Sequence, residues 1–345
     1  MKFTWRWPVT VLASIAAGAC LHLAGAPLPW MIGPLLTFAA SNIMHANVQV
    51  PRQVRFAGQW VVGAALGLYF TAPVVERLLN LSGWILLATL LSLGAGLVAS
   101  QLLIRIGHVD PVTAFFAGTV GGAAEMANQA ERFGARVDQV AASQVTRVLL
   151  VVLLLPLGFK LSGLHGNDLY HVVSVPLRPL GLIGLLAAGL FVGAIAAWLR
   201  VPNGWLFGPL VLSAALTASG YAPSSVPAGL VNLGQWLIGC SLGARFTPDF
   251  FRGSPRFLLG VLVSGIALIV LCIATGVLIS MLADIPWPTM VLATAPGGIA
   301  EMGLTAKLLQ LGVPVVTAFH IIRLAVVVST VGPGFRLLRH LQRRR

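Results

Sequence analysis

Two arginines and two glutamates stand out because they interrupt long apolar stretches of the sequence. Arg147 and Arg323 each lie about ten residues into such a stretch. Ten residues of helix would place a guanidinium roughly 15 Å below the membrane surface. A planar cation at that depth predicts either a fork that grips the carboxylate of a solute or an internal ion pair with Glu125 or Glu301.

Each glutamate follows a pair of glycines: Gly121-Gly122 precede Glu125, and Gly297-Gly298 precede Glu301. Such a pair favours a break in a membrane helix, where free N–H groups and the positive end of a half-helix dipole face a ligand. Tight packing of small residues against a neighbouring helix is the alternative. The glutamates would lie in the first turn after each break, which predicts a proton or cation site, N-terminal capping, or both.

Gln144 and His320 lie one helical turn before the two arginines and should face the same cavity. A packed histidine is the alternative for His320. The predicted ion-coupling residues are Glu125 and Glu301. The predicted substrate-binding residues are Gly121, Gly122, Gln144, Arg147, Gly297, Gly298, His320 and Arg323. We expect no catalytic residue, no metal site and no cofactor.

The glycine pairs, the glutamates and the arginines each occur twice, 176 positions apart, and Gln144 and His320 are matched in position by the same spacing. The blocks Gly58-Gln59-Trp60 and 234–236 repeat with the same spacing, and a further block around Trp30 repeats 175 residues later. Several blocks in the same order indicate an internal duplication. The sequence therefore predicts two tandem repeats, residues 1–170 and 171–345.

The composition places these repeats in a membrane. Apolar residues make up 57% of the 345 and charged residues only 9%, against about 25% charged in a typical soluble domain. A cytosolic enzyme, a disordered chain and a secreted disulfide scaffold are excluded. The first apolar segment is interpreted as an uncleaved membrane helix. The net charge of +13 is attributed to membrane orientation and not to nucleic-acid binding.

Each repeat contains six apolar segments, of which the fifth, 111–131 and 287–306, carries the Gly-Gly pair. Lys and Arg alternate between the loops so that one repeat is basic where the other is not. The positive-inside rule then predicts inverted repeats with about ten transmembrane helices, two re-entrant or broken segments, and cytoplasmic termini including a basic C-terminal tail. If the fifth segments span the membrane, the repeats are parallel. The expected fold class is an all-α integral membrane protein.

The two Gly-Gly-Glu blocks, residues 118–126 and 295–302, together with the two Gly-Gln-Trp blocks, resemble the membrane AbrB duplication family. That family also carries the name "putative ammonia monooxygenase". The resemblance covers nearly the whole chain. It implies a multi-pass protein of the bacterial inner membrane, linked by name to regulation of gene expression.

These observations together predict a secondary transporter for a small polar or anionic solute. Coupling to protons or another ion is expected because the sequence has no P-loop and no ATPase domain. A membrane regulator or sensor that binds a solute without moving it is the first alternative. An ammonia monooxygenase-like enzyme is the second, although no His-rich metal site is visible, so we expect no enzyme. The expected partners are the lipid bilayer and the solute, without nucleic acid; a homo-oligomer is left open.

Overall fold

The computed structural model describes residues 6–164, 166, 175–246 and 255–343, and within these residues the chain folds into helices without strands. The helices are α1 Arg6–Leu23, α2 Pro29–Ile43, α3 Arg52–Gly67, α4 Ala72–Asn80, α5 Ser82–Gly107, α6 Pro111–Gly118, α7 Ala123–Arg132, α8 Val137–Leu161, α9 Pro179–Trp198, α10 Gly204–Ala218, α11 Ala228–Gly243, α12 Pro255–Ala283, α13 Trp287–Thr294, α14 Ile299–Leu308 and α15 Val313–Arg343. Part of the predicted basic C-terminal tail, Arg344 and Arg345, lies outside the described residues.

Six of these helices are long and apolar enough to cross a membrane: α1, α5, α8, α9, α12 and α15. The pair α3 and α4 would add a seventh span, but the chain bends by 92° between them. The helices α2, α3, α10 and α11 have only 15 or 16 residues, fewer than the roughly 20 that a straight crossing needs. The all-helical membrane class is confirmed, whereas the predicted count of ten crossings is not.

The helices divide into two compact units, and each unit draws on both halves of the sequence. The first contains the described residues within 1–80, 153–252 and 300–314, and the second those within 81–152, 253–299 and 315–345. The predicted repeats, 1–170 and 171–345, therefore describe the sequence and not the boundaries of compact units. One helix, α8, contributes residues to both units.

In the first unit, helices from the two halves pack through glycines at equivalent positions. A Cβ added at Gly63 of α3 would collide with the carbonyl oxygen of Leu206 in α10, and one at Gly239 of α11 with that of Met31 in α2. The indole of Trp60 donates a 3.0 Å hydrogen bond to the Leu186 carbonyl. These close approaches require residues without a side chain, which explains why glycine recurs at the contact positions.

In the second unit, α5 and α12 pack against each other and carry one short helix each. A Cβ added at Gly260 of α12 would lie 2.6 Å from Gly107 Cα in α5, so the two backbones are in direct contact there. The helix α6 packs on α5, and α13 packs on α12. Each short helix is followed by a short non-helical segment, and these two segments contain the predicted glycine pairs.

Candidate functional site

The candidate site is built around two short non-helical segments, each of which separates a pair of short helices. The first break, residues 119–122, separates α6 from α7, and the second break, residues 295–298, separates α13 from α14. α7 begins at Ala123 and α14 at Ile299, directly after the two glycine pairs. Thr119 and Ala295, which end the preceding helices, have extended backbone with ψ of 134° and 140°. The two breaks have the same length and occupy equivalent positions.

Local sequence explains where the short helices begin. The Asp110 side chain accepts a 2.9 Å hydrogen bond from the Thr113 N–H, which caps the start of α6. A proline occupies one of the first two positions of both α6 and α13, where its missing N–H costs no hydrogen bond. Each short helix has eight residues, so the position of its first residue determines where its last carbonyls lie, next to the break.

Arg147, on α8, binds the carbonyl oxygens of the first break. Its side chain is 5% exposed. Nη1 donates to the Thr119 carbonyl at 2.9 Å and Nη2 to the Gly121 carbonyl at 3.0 Å. The last carbonyls of a helix lack internal partners and carry its negative dipole end, so a guanidinium satisfies both needs.

Arg323, on α15, makes the equivalent contacts with the second break. It is 6% exposed, and it donates from Nη1 to the Ala295 carbonyl at 2.7 Å and from Nη2 to the Gly297 carbonyl at 2.8 Å. Both arginines belong to the second unit. The structure therefore joins each predicted arginine to the first glycine of its predicted pair.

Gln144 extends the hydrogen bonding of the first break. Its Nε2 donates to the carbonyls of Phe116 at 2.9 Å and Thr119 at 3.0 Å, and its Oε1 accepts from Arg147 Nη2 at 2.6 Å. Both Gln144 and Arg147 thus bind the Thr119 oxygen, which also accepts from the Gly121 N–H at 2.9 Å. Arg147 Nε is buried and has no hydrogen-bond partner among the described residues.

His320 occupies the equivalent position in the second half but bonds differently. Its Nδ1 lies 2.8 Å from the Val316 carbonyl of its own helix, an interaction in which Nδ1–H is the donor. The other ring nitrogen, Nε2, is buried and has no hydrogen-bond partner within the part of the chain that the structure describes. His320 is therefore held by the preceding turn of its own helix, and it keeps a buried acceptor unused.

The two glutamates do not share one environment. The Glu125 carboxylate folds back over Gly122, so that a Cβ at Gly122 would collide with it. Glu301 is 8% exposed and belongs to the first unit, whereas the arginines belong to the second. The ion pair between Arg147 and Glu125, one of the predicted alternatives, is not formed, because the guanidinium is occupied by carbonyl oxygens.

Several residues at the site were not predicted. Thr119 and Ala295 contribute only backbone carbonyls, a group that every residue carries, so no side-chain pattern identifies them. Cys272 is fully buried, and its carbonyl accepts a 2.8 Å bond from Thr294 Oγ1 at the end of α13. Across the described ranges, no group of three or more His, Cys, Asp and Glu side chains is arranged to hold a metal ion.

The long apolar helices define the chain as a multi-pass helical membrane protein, and two of its short helix pairs are separated by breaks. The chain belongs to the family described as "Transition state regulatory protein AbrB", whose model matches residues 30–339. The "Uncharacterized protein YhjN" of Bacillus subtilis (strain 168) is 28% identical, with 96% of this chain and 92% of that protein aligned. The "Putative regulator AbrB" of Escherichia coli (strain K12) is 23% identical, with 95% of each chain aligned. The family resemblance predicted from the sequence is confirmed.

Proposed function

We propose that this protein is a secondary membrane transporter for a small polar or anionic solute, driven by an ion gradient. The observation that carries the proposal is the pair of helix breaks at equivalent positions, each with a buried arginine on its carbonyl oxygens. Broken helices in corresponding positions of two repeats are the usual location of the binding site in secondary transporters.

The physical argument begins with the unpaired backbone at the breaks. Lipid offers no hydrogen bonds, so irregular backbone persists at membrane depth only where protein buries it or where it lines a cavity. Here the arginines satisfy the carbonyls of the first and third residues of each break. The N-terminal N–H groups of α7 have no side-chain cap, and they remain available to an anionic or polar solute.

The structure changes the roles proposed for individual residues. Arg147 and Arg323 hold the breaks in place and contribute positive charge, whereas the solute contacts the glycine pairs Gly121-Gly122 and Gly297-Gly298. Gln144 positions the first arginine. Glu125 couples transport to protons, because its carboxylate lies at the break and no cation of the described residues forms an ion pair with it. Glu301 is proposed for the same role in the second half.

The membrane topology belongs to the same proposal. We propose tandem inverted repeats in the bacterial inner membrane with both termini in the cytoplasm, as the distribution of Lys and Arg favours. The equivalent glycine contacts in the first unit support the duplication. Ten crossings would require the short helices α2, α3, α10 and α11 to cross the membrane together with the residues that flank them. Cysteine labelling of single-Cys variants on the two sides of the membrane tests this arrangement.

Uptake by proteoliposomes tests transport directly. The panel contains radiolabelled small carboxylates, amino acids and ammonium, each measured with and without an imposed pH gradient. We expect Glu125→Gln to abolish gradient-driven accumulation while it leaves exchange of internal for external solute intact. Glu131→Gln, on the exposed side of the same helix α7, is the matched control and should accumulate normally. Equal accumulation by both variants would remove Glu125 from the mechanism.

A membrane regulator is the second candidate, and the name of the relative "Putative regulator AbrB" favours it. A regulator would bind the solute without moving it. The same preparation distinguishes the two functions, because ligand-dependent thermal stabilisation reports binding whereas uptake reports movement. Stabilisation without uptake or exchange would support the regulator and would contradict the transporter.

A further inference from the structure

A pocket in the first unit contains a cation that has no counter-ion among the described residues. Its volume is about 80 Å³, and it lies among residues of that unit alone. We call it the Lys307 pocket. Its lining residues are Ala65, Leu68, Tyr69, Val175, Ala222, Ser224, Ser225, Val226 and Lys307. Neither the sequence motifs nor the comparisons assign a role to it.

Lys307 is the charged group of the pocket. It is the last-turn basic residue of α14 and is partly buried. Its Nζ lies 6.0 Å from the ring centroid of Tyr69, and within the described residues no carboxylate or carbonyl binds it. A partly desolvated ammonium with only a distant aromatic ring beside it is unfavourable, and an anion in the pocket would remove that cost.

The remaining lining gives the pocket two chemically different sides. Ser225 is partly buried, and its hydroxyl has no hydrogen-bond partner among the described residues, so it is available as a donor beside Lys307. The hydroxyl of Ser224 is already used, since it donates to the Ser225 carbonyl at 3.0 Å. Ala65, Leu68 and Val226 form an apolar side without polar side chains.

Size and charge restrict what the pocket accepts. One water needs roughly 10–15 Å³ of such space, so about 80 Å³ accommodates a molecule of several heavy atoms but no large metabolite. A single cation matches a single negative charge. We propose that the Lys307 pocket binds a short-chain monocarboxylate, with its carboxylate on Lys307 and Ser225 and its alkyl end on the apolar side. This proposal does not depend on transport at the breaks.

Thermal unfolding of the detergent-purified protein with sodium acetate, propionate or chloride at equal ionic strength tests the proposal. We expect acetate and propionate to raise the Tm above the chloride value. Lys307→Met should weaken the affinity about 10- to 100-fold, as expected for loss of a charge-assisted hydrogen bond, and Lys307→Arg should retain most of it. The matched control is Lys160→Met, since Lys160 is exposed and distant in sequence from the pocket residues. Equal shifts in Lys307→Met and wild type would overturn the assignment.

A second measurement on the unmodified protein covers the case in which Lys307→Met fails to fold. Acetate should slow acylation of Lys307 by an amine-reactive ester, as read by peptide mass spectrometry, while Lys160 in the same sample reacts at an unchanged rate. Equal reaction of Lys307 with and without acetate would contradict binding. Because neither experiment involves uptake, transport can fail while the pocket is confirmed, and the reverse outcome is equally readable.

The pH dependence of acetate binding gives a further check. Burial lowers the pKa of the Lys307 ammonium from its ordinary value of 10.5. The charged form binds the anion, so affinity should fall as the pH rises, with a midpoint below 10.5. Tyr69 is the other titratable residue of the pocket lining. If the loss of acetate affinity at high pH persists in Tyr69→Phe, it is due to Lys307. An acetate affinity that stays constant up to pH 10.5 would contradict a role for Lys307.

Discussion

The two helix breaks share the same arginine–carbonyl contacts, but the polar residue beside each arginine differs. Arg147 and Arg323 bind carbonyls at positions related by the 176-residue spacing. At the first break Gln144 adds bonds to Phe116 and Thr119 and to the arginine itself. At the second break His320 donates to the Val316 carbonyl of its own helix.

This difference indicates that the arginine–carbonyl contact is the common requirement, while the second polar residue varies. The first break is fixed by a connected network, in which Gln144 and Arg147 bind one another and the same carbonyl. The second break has fewer hydrogen bonds and an unused imidazole nitrogen. We expect the second break to open more readily, because fewer hydrogen bonds oppose its opening.

Removing an arginine should have the largest effect. Arg147→Ala leaves the buried Gly121 carbonyl and the Gln144 amide oxygen without the donor that Arg147 supplies, whereas the Thr119 carbonyl keeps its bond to Gln144. We expect the free energy of unfolding to fall by about 3 kcal/mol. Arg323→Ala removes the side-chain donor from both the Ala295 and the Gly297 carbonyls and should lose about 4 kcal/mol. Chemical denaturation in detergent measures both. Equal losses would remove the proposed difference between the breaks.

Overpacking the end of the first short helix should come next. A Cβ added at Gly118 would lie 2.8 Å from both the Gly96 carbonyl oxygen and the Ser100 nitrogen, backbone atoms that cannot move aside easily. We expect Gly118→Ala to cost about 3 kcal/mol. The equivalent position in the second half carries Thr294, which binds the Met290 and Cys272 carbonyls. Thr294→Ala should cost only about 1 kcal/mol, and a reversed order would contradict the packing described here.

Exchanging the variable residues tests the comparison most directly. Gln144→His should lose the bonds to Phe116 and Thr119 and lower the free energy of unfolding by about 2 kcal/mol. His320→Gln places an amide beside the second break and should change stability by less than about 1 kcal/mol. Hydrogen exchange of residues 119–122 and 295–298 should then show faster opening of the first break only in Gln144→His. An unchanged exchange rate would show that Gln144 does not restrain the break.

The smallest change in stability is expected at Gly122. Its added Cβ meets only the end of the flexible Glu125 side chain, so Gly122→Ala should alter the free energy of unfolding by about 0.5 kcal/mol or less. It should nevertheless displace the carboxylate and impair gradient-driven uptake. Gly83→Ala, at a position where a Cβ would meet nothing within 4 Å, is the control with normal uptake. Normal uptake in both variants would show that the carboxylate position is unimportant.

Several features were predictable because they depend on local chemistry or composition. Sparse charge and long apolar segments predicted a helical membrane protein, since a surface in lipid excludes charged side chains. The glycine pairs predicted half-helices, and α7 and α14 begin directly after them. The family followed from specific motifs, and the match over residues 30–339 confirms it.

Other features depend on distant parts of the chain, and the sequence left them open. The partners of Arg147 are carbonyl oxygens 26 and 28 residues away, a choice that no side-chain pattern reveals. Gln144 and His320 were predicted to face the same cavity; the sequence did not show that Gln144 binds Phe116, whereas His320 binds the preceding turn of its own helix. The Lys307 pocket combines residues from several segments of the chain, so its lining becomes apparent only after folding.

The sequence by itself determined the membrane class, the family and the positions of both breaks, because each depends on composition or on residues close together. Only the tertiary structure decided that the buried arginines bind backbone carbonyls and not Glu125, and that Glu301 belongs to a different compact unit. The physical reason is that a buried cation takes whichever acceptors packing brings to it, and packing is set by contacts between distant helices.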